Sequence, residues 1–373
     1  METADVVIIG AGVIGLSIAY HLAVSDSSLK IIVAEREKFP GMGSTAQCVG
    51  NISHQFPSRI NIEMTRVSLP YFKRFNTEMR YPVYLRRRGG LFLTACPEQL
   101  AELAKTSSLL NKLDVPAELL SPAEINKRYP FIHTGDLAGG IFCSPDSYAD
   151  PHGLIQGYFN QASKRGVEVA TSEAVLAIQT EGGKVGPVQT DKRRIAAGVV
   201  INAAGPLFAD IAAMAGVTLA AGPYRSQVYI CEPVPAIAPS IPMIVDIDTG
   251  FFIHAEKSGT LISGGADRNN SPCHDTAVDR SLLDDFIKAA VHRAPIMQTT
   301  GLMRIYVGIR CLTPDHHGIL GEVETIKGFY CAGGFGNHGF MHAPAIGLIA
   351  AQLICNGCTN LVNAALLSPN RFA

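Results

Sequence analysis

Val6-Val7-Ile8-Ile9-Gly10-Ala11-Gly12-Val13-Ile14-Gly15 is the stretch that decides the fold. Its β-branched run suits a strand buried on both faces of a parallel sheet, and an apolar helical pattern follows over Val13 to Ala23. Between them, Gly10, Gly12 and Gly15 stand where a tight turn, close backbone approach of a pyrophosphate and close helix packing each need a missing side chain. The amino end of the helix then faces the phosphates. A second strand-like run, Ile31 to Ala34, completes a βαβ unit and ends at Glu35, placed to accept a hydrogen bond from a ribose hydroxyl. An acidic residue there disfavours a 2′-phosphate and with it NADP, but leaves NAD and FAD open. The bland alternative is a glycine turn of purely structural use.

Working outward, 373 residues with 47% hydrophobic and 17% charged content can bury two cores, which predicts about two domains. A formal net charge of -1 gives no general attraction to nucleic acid or an anionic membrane, so the expected ligand is a small molecule. The run Arg86-Arg87-Arg88 reads as a solvated strand edge rather than a docking patch. Nine scattered cysteines point to reduced thiols and the cytoplasm. Cys355 and Cys358 form one close pair, without the further ligands that a metal site would use, so no metal is expected. No signal-peptide pattern opens the chain, and the apolar run Ala343 to Cys355 is shorter than the ~20 residues that span a bilayer.

Further along, Glu98 to Lys112 reads as a helix, Ser121-Pro122 as a loop, and Asp150-Pro151 as the cap of a helix ending near Gly166. Val167 to Ala170 and Val199 to Ile201 read as buried strands; Tyr224 to Glu232, Gly250 to His254 and Thr260 to Ser263 read as an antiparallel sheet. Gly328 to Ala332, a glycine-rich loop and an apolar helix repeat the opening order. The expected class is α/β (α+β overall). A Rossmann-type cofactor domain takes 1–85, 143–223 and 300–373, and an inserted antiparallel β-rich substrate domain takes 86–142 and 224–299.

Several separated blocks carry a resemblance: ADVVIIGAGVIGLSIAYHLA, GMGSTAQCVGN, YADPHGL, VINAAG, GIRCLTPDHHGILG and GFGNHGFMHAPAIG. They occur in the order found in the D-amino-acid oxidase, glycine oxidase and sarcosine oxidase superfamily of flavoenzymes. The chain looks most like the FAD-bearing β subunits of proline, hydroxyproline, sarcosine and opine dehydrogenases. The resemblance implies FAD, bound non-covalently, held by Gly10, Gly12, Val13, Ile14 and Gly15 and by Glu35 with Arg36. It adds the loop Ser44, Thr45, Gln47, Gly50 and Asn51 beside the pyrophosphate and ring, Val175 at the adenine, and Ala203 with Gly205 against the dinucleotide. Gly336, Asn337, His338, Gly339, Phe340 and Met341 would face the pyrimidine edge of the flavin, where a helix amino end stabilises the negative charge of the reduced ring.

Arg310 matches an arginine that clamps a substrate carboxylate, a surface salt bridge being the rival reading. His54, Tyr229, Phe251 and His254 are candidates for the pocket, with core packing the alternative for each, and His342 is expected behind them. The implied reaction is hydride transfer from a carbon bonded to nitrogen to flavin N5. The substrate would be a small amine-bearing carboxylic acid: a D-amino acid, an imino acid of the proline or hydroxyproline type, or an N-substituted amino acid. Met341 stands where oxidases of the sarcosine type carry lysine, which favours a dehydrogenase. Such an enzyme would pass electrons to partner subunits bearing iron-sulfur clusters, flavin or a NAD site. The alternatives are an oxidase using oxygen directly, a NAD-linked reductase, and a flavin-binding subunit without turnover.

Overall fold

The opening strand, Glu2–Ile9, is enclosed from Val6 onward and forms the middle of a parallel array in a computed structural model that describes residues 1–265 and 271–372. Ile31–Ala34 lies on one side of it, followed by Glu168–Ala170; Arg194–Asn202 lies on the other. The far edge of Arg194–Asn202 is shared, pairing first with the hairpin Val175–Glu181/Lys184–Thr190 and, over its last residues, in parallel with Phe329–Gly333. Five strands therefore point the same way. Their carboxyl ends bring Gly10 to Gly15, Glu35, the turn before Val175, Ala203 to Gly205 and the 334–341 block to one edge of the sheet, where ligands of such sheets sit.

The first helix, Val13–Ser25, is apolar nearly all round because it is covered on every side. Its chief neighbour is the helix Gly339–Asn356. Ile14 lies opposite Gly339, the Ser17 hydroxyl donates to the Ala343 carbonyl at 2.7 Å, and a Cβ on Gly347 would come within 2.2 Å of Ser17 Oγ and 2.7 Å of His21 Cδ2. Positions advance together along both helices, so the two run parallel with their amino ends side by side. Gly339–Asn356 is long and apolar enough, by length and composition alone, to cross a membrane; most of it is buried against the first helix and against Arg59–Met79.

Among the described residues the second sheet has eight strands, in the order Leu302–Leu312, Gly222–Cys231, Leu261–Gly264, Phe252–Ala255, Met243–Asp246, Gly90–Thr94, Gly139–Cys143 and Ala117–Leu120. All neighbours are antiparallel except Met243–Asp246 with Gly90–Thr94. Leu302–Leu312, read from sequence as part of the cofactor domain, pairs along its length with Gly222–Cys231 instead. A small third sheet joins Asn51–Ile52, Ser147–Tyr148 and Arg86–Arg87. Of the arginine run only Arg87 is exposed: Arg88 donates to the Ala255 carbonyl and Arg86 faces Glu256 at 3.6 Å. The Ser121 region is a helix start rather than a loop, because Ser121 and Glu124 form a capping box on Pro122–Arg128.

Behind the second sheet, Arg293 is buried at the end of the helix Leu283–Arg293. Its Nε donates to Asp246 at 2.7 Å, and its Nη atoms donate to the His133 carbonyl and to Asp136. One guanidinium thus ties the helix, the strand Met243–Asp246 and the 133–136 loop together.

Candidate functional site

Gly10 is held at φ 103° and its N–H donates to the Ala34 carbonyl at 2.8 Å. A Cβ there would stand 2.7 Å from the Ala203 carbonyl oxygen, and one on Gly15 would stand 2.0 Å from that of Gly10. At Gly12 the nearest atom to a Cβ would be Thr45 Oγ1 at 3.6 Å, so the approach to the helix end is open there. The helix has no side-chain cap and no acid in its first turn; the Val13 N–H meets the Thr45 hydroxyl at 3.3 Å. Glu35 is buried, with Oε2 accepting from Ala11 N at 2.6 Å and Oε1 from Glu37 N at 2.9 Å. Both amides fix the carboxylate at the strand end while each oxygen keeps a lone pair for a further donor. Arg36, the next residue, is exposed and paired with Glu37 at 3.1 Å.

The following loop crosses from the glycine turn to the second sheet. Gly41 N–H donates to Ala11 O at 2.9 Å, Ser44 Oγ donates to the Ile309 carbonyl, and Gln47 lies against Gly308, where a Cβ would meet its own Cβ at 3.0 Å. Gly50 sits at φ 77°, where a Cβ would stand 2.3 Å from Ala149 O, and Asn51 pairs with Tyr148. Val175 opens its strand just past the turn that follows Glu168–Ala170. Ala203 N–H donates to Ile9 O at 2.9 Å, and Gly205 sits at φ 57° with open space around it. Two adjacent helix amino ends, open glycine approaches at Gly12, Gly43 and Gly205, and a fixed ribose-side carboxylate fit a dinucleotide carrying a ring at its far end.

At that far end, Gly336 at φ 54° donates its N–H to Cys311 O at 2.7 Å, and Arg310 Nη1 donates to Asn337 Oδ1 at 2.9 Å. His338 begins the helix Gly339–Asn356. Burial, together with His316, His317 and Arg310, pushes its imidazole down to about 4. Phe340 packs on Phe72, and Met341 is buried. His342 meets Thr65 Oγ1 at 3.0 Å and is held well below its ordinary value by burial.

Cross-strand register divides the remaining candidates. Arg310 faces Tyr224, so it shares a sheet face with Gly308, Tyr306, Phe252 and His254, the face crossed by the 41–51 loop. Tyr229 and Phe251 lie on the face opposite Arg310: Tyr229 stacks on Phe286 at 3.7 Å between centroids and Gln227 donates to its hydroxyl at 2.7 Å, while Phe251 is core. His254 sits under the Tyr148 ring with Nε2 enclosed, and burial with Arg88 and Arg86 pushes it down to about 4. His54 is buried and bonded through Nδ1 to Asp146 at 2.9 Å. Sequence reasoning missed Asp146, although Cys143-Ser144-Pro145-Asp146 has the look of a polar turn directly before the YADPHGL block.

The buried histidines give the fold a pH dependence. Burial pushes His21 down to about 4, like His254 and His338, so each is neutral in the folded chain between about 4 and its ordinary 6.5 but binds a proton when unfolded. Stability is therefore complete above about 6.5 and is lost as pH falls from there through about 4, by on the order of 1.4 kcal/mol per pH unit for each such histidine. Melting temperatures of the flavin-free protein measured from pH 7.5 down to 5 should fall steeply. His21→Gln should flatten the slope by about one proton.

Comparison with known proteins gives concordant results. The family described as FAD dependent oxidoreductase matches residues 5–353. Mitochondrial sarcosine dehydrogenase of Mus musculus is 26% identical over 371 residues, covering 95% of this chain and 40% of that protein. The chain thus spans about two fifths of that relative's length. FAD-dependent oxidoreductase domain-containing protein 1 of Xenopus laevis is 26% identical over 421 residues, covering 100% of this chain and 83% of that protein. Among solved structures, L-proline dehydrogenase from P. horikoshii has a TM-score of 0.92 at 27% identity, covering 100% of this chain and 98% of that one.

Proposed function

The chain belongs to the FAD dependent oxidoreductase family, and from that premise we propose that it oxidises the carbon-nitrogen bond of a small amine-bearing carboxylic acid, acting as a dehydrogenase. When bound, the flavin accepts a hydride from the carbon next to nitrogen. The observation that carries the reading is Arg310: it stands on the sheet face crossed by the 41–51 loop and is linked through Asn337 to the block that begins the C-terminal helix. A guanidinium there can hold a carboxylate by a bidentate pair and so present the adjacent carbon-nitrogen bond to the ring. The cradle residues would hold the dinucleotide, and the amino end of Gly339–Asn356 would stabilise the charge that develops on reduction.

Two features support the finer parts of the proposal. Met341 is buried and apolar, so it supplies no cation to assist oxygen at the ring, and electrons would leave to partner subunits carrying iron-sulfur, flavin or NAD groups. Cys311 is enclosed and burial pushes its thiol up to about 12, a poor state for attack on the flavin, which favours FAD held non-covalently.

Anaerobic bleaching at about 450 nm, where oxidised flavin absorbs, tests the reading with prolines, hydroxyprolines, sarcosine, glycine and opines. Bleaching by one class with slow reoxidation in air is expected. An inert flavin under all of them would defeat it. In the same assay, Arg310→Ala should raise the substrate concentration for half-maximal bleaching about 100-fold, since a charged hydrogen-bonded pair contributes about 1.5–3 kcal/mol.

A further inference from the structure

Asp146 is one of the most enclosed carboxylates in the molecule and gathers four donors. Oδ2 accepts from Ser53 Oγ at 2.9 Å and Gln55 Nε2 at 2.8 Å; Oδ1 accepts from the His54 backbone N–H at 2.8 Å and from His54 Nδ1 at 2.9 Å. An ionised carboxylate only accepts, so Nδ1 carries the proton and Nε2, on the opposite edge of the ring, is left with the lone pair. Cys143 lies close enough for these three side chains to suggest a metal site. The chemistry disfavours that reading: the carboxylate oxygens and Nδ1 are already engaged, and burial and Asp146 push the Cys143 thiol far above its ordinary value, so it offers no thiolate.

The pair stands at the junction of the two sheets. His54 is three residues beyond Asn51 of the loop that joins the glycine turn to the second sheet. His342, in the first turn of the C-terminal helix, is held low first by burial, then by His338 and last by His54, and Thr65 Oγ1 links the Ser53 carbonyl at 2.9 Å to His342 Nε2 at 3.0 Å. On the other side, a Cβ on Gly90 would stand 2.6 Å from Asp146 Oδ2, and Gly90 belongs to the sheet face that carries Arg310.

We propose that Asp146 is a positioning residue that fixes His54 with Nε2 as the acceptor of the proton on the substrate's nitrogen, an inference that rests on the dehydrogenase reading above. The substrate ammonium gives one proton to His54 Nε2 and regains its lone pair. The hydride, with two electrons, then leaves the neighbouring carbon for the flavin, the carbon-nitrogen double bond forms, and the imidazolium beside Asp146 releases its proton to solvent.

Stopped-flow reduction of the flavin-loaded protein, measured anaerobically across pH with the substrate that bleaches it, tests this. Asp146→Asn keeps the shape but no longer stabilises the imidazolium. It should slow the limiting rate about 100-fold while the substrate dissociation constant stays within about 3-fold, and the double variant with His54→Asn should be no slower than His54→Asn alone. His54→Asn should also lose the pH-dependent limb. Wild-type rate and pH profile in Asp146→Asn, whatever its melting temperature, would overturn the inference, as would singles whose effects multiply in the double. Should Asp146→Asn not fold, His54→Asn, which leaves three donors on Asp146, decides through the limb alone: its persistence sinks the inference. A wild-type flavin that no amine bleaches would bring down the functional reading itself.

Discussion

Gly15→Ala is expected to yield a colourless protein. The added methyl would stand 2.0 Å from the Gly10 carbonyl oxygen, inside the turn that aims the first helix, and the backbone has no rotamer by which to yield. The helix end must shift away from the phosphates, so flavin affinity should fall more than 100-fold, about 2.7 kcal/mol, and the apo melting temperature should fall as well. Gly12→Ala separates the two consequences. Its methyl would find only Thr45 Oγ1 at 3.6 Å, so it should fold normally yet obstruct the pyrophosphate. Absorbance of the purified variants and flavin titration of their apo forms measure both. Full flavin content in Gly15→Ala would contradict the phosphate-cradle account.

Arg293→Ala should be the most damaging single change away from the cofactor. Asp246 is wholly enclosed and Arg293 Nε is its cationic partner at 2.7 Å; without it a charge is stranded in the core, at a cost of about 3–5 kcal/mol. Asp136, held well below the usual carboxylate range by Arg293 and His292, would lose its main anchor too. His292→Ala, which removes only an exposed contact, should cost under about 1 kcal/mol. Urea unfolding followed on the second sheet distinguishes them, and equal midpoints would refute the assigned roles.

The cofactor cradle was legible because phosphate geometry constrains the chain at fixed spacings. Gly10, Gly12, Gly15, Glu35, Ala203 and Gly205 all reach the carboxyl edge of the parallel strands, as that pattern requires. The pocket was less legible. In Gly222–Cys231 one face packs on the Leu283–Arg293 helix and the other looks to Arg310, so both faces carry large side chains and the sequence alone cannot say which way Tyr229 points. The same limit hid the membership of Leu302–Leu312, whose partner is far away in sequence. Asp146 escaped notice because its meaning lies in a contact 92 residues away, with His54.

The parallel pairing of the first and last helices also sets a schedule. Ser17 and Ala343 touch across 326 residues, and the second helix amino end of the cradle belongs to the later partner. At roughly 5–20 residues per second, ribosomal synthesis needs roughly 16–65 s to deliver that stretch once the glycine turn has emerged. For all of that time the nascent chain can display a finished βαβ unit without a closed berth for its prosthetic group. Loading the flavin thus waits for the second helix of the pair, and the glycine turn made first stays idle until that later partner has emerged.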